Sequence, residues 1–278
     1  MANRVWFITG ASSGFGRVLA EEALARGDQV AATARNPDSL ADLVTANPDG
    51  ARAIRLDVTD PVRIGEAVAE AVAAFGQIDV AVNNAGYGMI GAIEEVSDAD
   101  TRAMFETHVF GTLGVIRAVL PQMRARRSGM LINMSSLAGL TGFSGGGIYA
   151  GCKFAIEGFT EAIEEELKPF GIKVLLVEPG SFRTDFFSRS IQFSEPMNAY
   201  AGGPIAAKRN AVKSHADLPE PIVAIRAIFD AVERAEHDGQ PLRLIIGADA
   251  LRAARAKIDR LNREIGFSED VAEANRPS

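Results

Sequence analysis

The sequence is poor in the residues that form cross-links, metal sites or nucleic-acid surfaces. It holds one cysteine, Cys152, which excludes an internal disulfide. The three histidines, His108, His215 and His237, are too scattered for a metal-ligand spacing, so no metal site is predicted. The formal net charge is −7, which argues against a nucleic-acid partner.

Long apolar runs are also missing. No uninterrupted run approaches the ~20 residues that a membrane-spanning helix needs, so no membrane partner is expected. The first residues, MANRVWFITG, lack the pattern of a signal peptide and lead directly into a predicted strand. With a single cysteine, this predicts a cytoplasmic protein. Because 47% of the residues are hydrophobic, the chain can still bury a sizeable core.

Short apolar runs alternate with helical patterns along the chain. Several of the runs are apolar nearly throughout, as strands buried on both faces are. The runs cover residues 5–9, 29–34, 51–57, 78–84, 129–135, 172–178 and 242–247. This alternation predicts a single α/β domain over residues 1–278. We expect a Rossmann-like, doubly wound domain whose parallel seven-stranded sheet carries helices on both faces. Residues 186–217 are long and irregular and predict a substrate lid.

A glycine-rich turn, TGASSGFG, follows the first strand and opens the first helix. Gly10, Gly14 and Gly16 allow a tight turn and a close approach of the backbone to a ligand. The helix N-terminus presents unpaired N–H groups and a positive dipole end to phosphate. An ordinary strand–helix turn is the alternative. The pattern predicts a dinucleotide site that also includes Ser12, Ser13 and Phe15.

The end of the second strand, ATARNP, indicates which dinucleotide binds. An NAD site offers an acidic residue to the adenosine ribose about 20 residues past the glycine turn. Ala34 stands there instead, and Arg35 follows it; a guanidinium accommodates a 2′-phosphate. We therefore expect NADP(H) in preference to NAD(H). A solvated surface arginine is the alternative interpretation.

The remaining strands end in residues that suit the same site. Ligands of an open parallel sheet bind beyond the carboxyl ends of its strands. The endings predicted to contact the cofactor are Asp57 and Val58 after the third strand, Asn84, Ala85 and Gly86 after the fourth, and Pro179, Gly180, Phe182 and Thr184 after the sixth.

Together these motifs resemble the short-chain dehydrogenase/reductase family in order and spacing, over at least residues 4–184. They include TGASSGFG, NNAG, PGSFRT and the tyrosine-x-x-x-lysine motif YAGCK at 149–153, with Ser136 lying 13 positions before the tyrosine. The resemblance implies an oxidoreductase that transfers a hydride between NADP(H) and a carbonyl or secondary alcohol. It also implies a homodimer or homotetramer.

By the resemblance, Tyr149 is the general acid/base, Lys153 assists it and holds the nicotinamide ribose, and Ser136 orients the substrate oxygen. Tyr149 and Lys153 are four residues apart, so they share a helix face. A nearby ammonium is expected to lower the phenol pKa from its usual value of about 10. A half-buried tyrosine and a solvated lysine are the alternative. Cys152 has no base partner and is not expected to be catalytic.

One catalytic position departs from the family pattern. The family has an asparagine three residues before a glycine, and here His108 precedes Gly111 in ETHVFGTLG. A histidine can hold water and normally titrates near neutrality. We expect His108 to take the asparagine's place in the proton relay; a histidine that only fills space is the alternative.

Apolar and aromatic residues predict a small to mid-sized, apolar small-molecule substrate. The candidate pocket residues are Tyr87, Met89, Phe143, Phe182, Phe186, Phe187 and Tyr200. A dedicated acyl-chain or steroid/retinoid reductase is the alternative enzyme. A non-catalytic NADP(H)-sensing protein on the same fold is the alternative from another class, and the intact Ser136, Tyr149 and Lys153 argue against it.

Overall fold

The computed structural model describes residues 3–212, 217–235 and 242–275. Its strands are β1 Val5–Ile8, β2 Gln29–Ala34, β3 Ala51–Arg55, β4 Val80–Asn83, β5 Gly88–Ile90, β6 Gly129–Met134, β7 Ile172–Pro179, β8 Ile191–Phe193 and β9 Arg243–Ile246. Seven of them form one sheet in the order β3-β2-β1-β4-β6-β7-β9. Every neighbouring pair in it is parallel. The predicted fold class is confirmed.

Helices connect the strands. They are α1 Gly14–Ala25, α2 Ala41–Ala46, α3 Pro61–Phe75, α4 Asp98–Phe105, α5 Gly111–Arg126, α6 Leu137–Leu140, α7 Gly147–Leu167, α8 Gly203–Val212, α9 Pro221–Ala235 and α10 Ala248–Ala274. A π-helical turn, Glu106–Phe110, joins α4 to α5. Shorter 3₁₀ turns cover Pro37–Leu40, Lys168–Phe170 and Asn198–Tyr200. Helix α3 begins with an N-cap, since Asp60 accepts hydrogen bonds from Val62 and Arg63 N–H, each at 3.0 Å.

The sheet is buried on both faces, as its apolar strands predict. Along β1, Trp6 and Ile8 enter the core shared with α1 and α9, whereas Phe7 enters the core shared with α3 and α5. The Trp6 and Phe229 rings lie 4.8 Å apart. The indole N–H of Trp6 donates to the Asp28 carboxylate at 2.8 Å. Both faces of β1 are therefore covered by packed helices.

The segment 186–217 is more regular than expected. Its described part holds a π-helical turn, Phe186–Ser190, then β8, a 3₁₀ turn and α8. Strand β8 pairs in parallel with β5 in a separate two-stranded sheet. Gly88 permits this pairing, because a Cβ there would lie 2.9 Å from Phe186 Cζ. Residues 213–216 of this segment, with His215, and His237 lie outside the described residues.

One helical stretch is long and apolar enough to cross a membrane by length and composition alone, which the sequence did not lead us to expect. It is Asp98–Arg126, formed by α4, the π-helical turn and α5. Its buried side chains Val115, Ile116, Val119 and Met123 belong to the core on one face of the sheet. Packing in that core accounts for the composition of this stretch.

Candidate active site

The glycine turn after β1 has the geometry that a bound dinucleotide needs. Gly10 and Gly14 have positive φ angles of 67° and 57°. A Cβ on Gly10 would lie 2.9 Å from Ala85 Cα, and one on Gly16 would lie 2.5 Å from the Gly10 carbonyl oxygen. No larger residue fits at Gly10 or Gly16 without moving the turn.

Asn84 and Thr9 hold this turn against the end of β4. The Asn84 amide donates to the carbonyl oxygens of Thr9 at 2.9 Å and Gly10 at 3.1 Å. The Thr9 hydroxyl accepts from the N–H groups of Asn84 at 2.9 Å and Ala85 at 3.0 Å. Asn84 was predicted to contact the cofactor; in the structure its side chain holds the glycine turn, and the predicted contact stays a prediction. Sequence reasoning missed Thr9, although it is the first residue of the quoted motif.

The N-terminus of α1 behind the turn is open to a phosphate. Ser13 occupies the N-cap but makes no capping side-chain hydrogen bond. The first-turn N–H groups therefore have no partner from that side chain. The loop after β7 passes nearby, with Thr184 Cβ 3.9 Å from the place of a Gly14 Cβ. A cleft of about 400 Å³ lies between them. These residues fit a nicotinamide dinucleotide.

The residues after β2 and β3 differ in what they present to this edge. Arg35 is exposed directly after β2 and has no ion pair among the described residues. Asp57 instead accepts from the N–H and hydroxyl of Thr59, at 3.0 and 2.8 Å. The Val58 side chain is buried in the core against Gly111. Of these three side chains, only Arg35 is a charged group without a hydrogen bond or an ion pair among the described residues.

The three predicted catalytic side chains come together at the carboxyl end of β6. Ser136 caps the short helix α6, where its hydroxyl accepts from the Ala138 N–H at 3.1 Å. Tyr149 lies in the first turn of α7, and Lys153 follows one turn later. The Lys153 ammonium is 5.6 Å from the centroid of the Tyr149 ring. It donates to the Met134 carbonyl at 2.7 Å, which fixes its position.

Burial controls the pKa values of this pair. Burial raises the pKa of Tyr149 to about 12, while the Ser136 hydroxyl acts in the opposite direction. Burial also lowers the pKa of Lys153 to about 8. The expected lowering of the tyrosine pKa is therefore wrong for the protein without ligand, because loss of solvent dominates. Tyr149 rests as a neutral phenol.

His108 belongs to the same cluster. It lies on the π-helical turn, and its ring meets the Tyr149 ring edge-on, with centroids 5.7 Å apart. Its Nε2 lies 2.7 Å from the Tyr87 carbonyl oxygen, and its buried Nδ1 has no partner among the described residues. Burial, and then the Lys153 charge, lowers its pKa to about 3. The expected titration near neutrality is thus wrong, and His108 stays neutral.

Comparison with known proteins agrees with this arrangement. The family model described as short chain dehydrogenase matches residues 4–194. The chain belongs to the short-chain dehydrogenase family. Oxidoreductase BOA17 of Botryotinia fuckeliana is 38% identical over 255 residues, which are 90% of this chain and 91% of that protein. The chain is accordingly an oxidoreductase of this family.

Solved structures show the same fold. A short-chain dehydrogenase from Streptomyces avermitilis is 43% identical, with a TM-score of 0.92 and 99% of each chain covered. A short-chain dehydrogenase/reductase from Burkholderia phymatum, solved in complex with NAD, is 24% identical with a TM-score of 0.81 and covers 95% of this chain and 97% of its own. Both neighbours share the fold of this chain, and NAD is bound in the second of them.

Cys152 does not take part in the dehydrogenase site. Its side chain is fully buried in an apolar cluster with Met104 and Val109. Burial raises the pKa of the thiol to about 11, so it remains protonated. A protonated, buried thiol is a poor nucleophile. This agrees with the expectation that Cys152 is not catalytic.

The predicted pocket residues separate into two groups. Tyr87 and Phe186 flank the catalytic residues: Tyr87 lies 5.7 Å from His108 and Phe186 lies 6.0 Å from Tyr149, between ring centroids. Phe187 packs on Phe186, and Met89 joins the apolar cluster beside Tyr149. The others lie apart from Tyr149: Phe182 packs in the core against Phe15, Phe143 lies under the Lys208 ammonium, and Tyr200 donates to Glu94.

A buried charge cluster behind the site was missed. Arg243 donates to Glu157, Glu161 and Glu178, and the Ser135 hydroxyl donates to Glu157. Burial and the neighbouring Glu157 raise the pKa of Glu178. Glu157 stands one helical turn after Lys153, so the helical period could have drawn attention to it. Pro179 is the last residue of β7, the strand that also carries Glu178. The next residue, Gly180, packs against Asp249.

Proposed function

We propose that this dehydrogenase transfers a hydride between NADP(H) and the carbonyl or secondary alcohol of a small to mid-sized, apolar substrate. The observation that carries the proposal is the convergence of Ser136, Tyr149 and Lys153 beside a glycine turn shaped for a dinucleotide. Tyr87 and Phe186 beside Tyr149 supply apolar surface for the substrate. Bound NADPH would supply the hydride.

The protein's own residues handle the proton and the substrate oxygen. In reduction, the neutral Tyr149 phenol donates its proton to the oxygen that becomes the alcohol. The Ser136 hydroxyl donates a hydrogen bond to the same oxygen and orients it. The Lys153 ammonium, held by Met134, stabilises the phenolate that remains. The resting phenol is protonated at neutral pH, which is the form that reduction requires.

His108 completes the relay as a neutral acceptor. The Nε2 atom lies 2.7 Å from the Tyr87 carbonyl oxygen and 3.1 Å from the Tyr87 N–H, so the tautomer decides which contact is the hydrogen bond. In the tautomer proposed here, Nε2 donates to the carbonyl and Nδ1 keeps its lone pair. That atom is buried and has no partner among the described residues, so it can accept from a water molecule that also contacts Lys153. Such a water would return a proton to Tyr149 through Lys153. In this role the histidine replaces the asparagine of the family pattern without titrating.

The glycine turn and the first-turn N–H groups of α1 would hold the pyrophosphate, and Arg35 would bind the 2′-phosphate of NADP(H). What supports the preference is an exposed guanidinium after β2 with no carboxylate competing for it among the described residues. Arg17, by contrast, already donates to both Asp42 carboxylate oxygens, at 2.9 and 2.6 Å. Arg35 is therefore the residue that reads the phosphate.

Titration with NADPH and NADH tests this assignment. We expect NADPH to bind at least about tenfold more tightly, a difference of about 1.4 kcal/mol, and Arg35→Ala to remove that difference. Arg124→Ala is the matched control, since Arg124 is exposed near the end of α5, at the amino end of the sheet. Arg35→Ala protein that keeps the full preference for NADPH would contradict the assignment. Binding of neither nucleotide would contradict the dehydrogenase proposal itself.

Two further properties belong to the proposal. We place the enzyme in the cytoplasm, on the basis of its single, buried cysteine. We also propose a homodimer or homotetramer that pairs through the α5 and α7 region. Phe110 and Phe154 support this pairing, because these large apolar side chains are exposed there.

A further inference from the structure

The C-terminal helix α10 extends beyond the rest of the protein. Its start is anchored: Asp249 accepts from the Ser181 N–H at 2.8 Å, and Ala250 and Ala254 are its only buried residues among those described. Beyond Ala254 nearly every side chain is exposed, up to the end of the helix at Ala274. In proteins most helical stability comes from packing of an amphipathic face, and this extension has no such packing among the described residues.

An apolar stripe runs along the extension. Ile258, Leu261 and Ile265 follow Leu251 and Ala254 at alternating spacings of four and three residues, the period of a helix–helix seam. Ile258 is 56% exposed, Leu261 41% and Ile265 54%. Ser268 and Ala272 continue the seam. Phe267, which is 70% exposed, lies off it.

Charge is segregated along the same helix. Basic residues dominate as far as Arg263, with Arg252, Arg255, Lys257, Arg260 and Arg263 against Asp249 and Asp259; beyond it the charges are all acidic, namely Glu264, Glu269, Asp270 and Glu273. This order opposes the helix dipole, which favours acidic residues at the N-terminus and basic ones at the C-terminus. Any stabilisation that this order of charges provides must therefore come from contacts outside the helix. A second α10 running in the opposite direction places each basic half against an acidic half.

We propose that α10 of one chain pairs with α10 of a second copy as an antiparallel two-helix seam. In the register set by the apolar residues, Leu261 packs on Ile265 of the second copy, and Ile258 packs near Ser268 of that copy. Arg255 then lies beside Glu269 of the second copy, and the two-fold symmetry of the pair repeats this contact, so that two such ion pairs form. A parallel pair would instead place Glu264 beside Glu269 of the other chain. The face is separate from the α5 and α7 region.

Charge reversal tests the register. The association constant of the full chain is measured by sedimentation equilibrium for wild type, Arg255→Glu, Glu269→Arg and the double variant. Each single variant should weaken the pairing of two α10 helices about tenfold, because two attractive ion pairs become repulsive. The double variant should restore the wild-type association constant. Parallel pairing predicts the opposite for Glu269→Arg, which would then strengthen association. That result would overturn the proposed orientation.

Ile265→Glu should abolish the pairing of two α10 helices. Phe267→Glu is the matched control, since Phe267 is an exposed apolar residue that lies off the seam. All these positions are exposed, so circular dichroism should show unchanged folding. Equal association of wild type and Ile265→Glu would overturn the proposal, as would wild-type binding to phosphatidylglycerol vesicles without self-association. The inference does not rest on the proposed function: NADPH turnover by Ile265→Glu reports on the catalytic site separately.

Discussion

At the scale of single residues, the catalytic pair is governed by loss of solvent. Lys153 is buried and its pKa is lowered to about 8, so its ammonium is present below that pH and is lost above it. If the ammonium stabilises the Tyr149 phenolate, kcat/KM for carbonyl reduction should fall as pH rises through about 8. A pH–rate profile measures this. A profile that stays flat well above that pH would contradict the role of Lys153.

His108 allows a separate test, because it is neutral in the working pH range. His108→Asn keeps a polar acceptor and should retain most activity. His108→Leu fills the space without an acceptor and should lower kcat about tenfold or more, with NADPH binding and melting temperature as controls. Equal kcat for the two variants, both folded, would mean that His108 only fills space. Neither variant should add or remove a limb in the pH–rate profile, since the pKa of His108 is about 3.

At the scale of elements, the proposed cofactor site depends on the turn between β1 and α1. Gly16→Ala would place a Cβ 2.5 Å from the Gly10 carbonyl oxygen, so the turn must shift. We expect NADPH affinity to fall about tenfold or more. Gly65→Ala in α3 is the matched control: a Cβ there meets nothing within 4 Å. It should leave affinity unchanged and stabilise the fold by about 0.5–1 kcal/mol through helix propensity. Unchanged NADPH affinity in Gly16→Ala would contradict the proposal that this glycine turn holds the cofactor.

The elements differ in how far sequence patterns could predict them. The seven strands of the main sheet are apolar and flanked by glycine or proline, and each lies within about two residues of its predicted bounds. Strands β5 and β8 were missed because each has three residues and forms only by pairing with the other across the chain. The Arg243 cluster joins β7, α7 and β9, and no local pattern contains it.

The residues of the site show the same limit. Motif order located Ser136, Tyr149 and Lys153, since spacing along the chain is what a motif records. It could not show that Tyr149 is deprived of solvent, or that the Asn84 and Asp57 side chains hydrogen-bond to Thr9 and Thr59. Those properties depend on three-dimensional packing. These properties determine how each predicted side chain is held and charged before a cofactor binds.

At the scale of the whole molecule, one edge of one sheet brings the functional parts together. The ends of β1, β2, β4 and β6 carry the glycine turn, Arg35, Asn84 and Ser136, and the start of α7 adds Tyr149. A cofactor-sensing protein needs the first two of these features and has no use for an acid beside the substrate. Catalysis is therefore what separates the two classes of function.

The central claim is that Tyr149 donates the proton during reduction of a carbonyl substrate. The most direct test follows NADPH oxidation with a panel of aldehydes and ketones, for wild type, Tyr149→Phe and the control Tyr200→Phe, whose hydroxyl only donates to Glu94 at 2.8 Å. We predict turnover by wild type and Tyr200→Phe, and a loss of about a thousandfold in Tyr149→Phe with NADPH affinity preserved. Undiminished turnover by Tyr149→Phe, or NADPH binding without turnover of any carbonyl by wild type, would contradict the account.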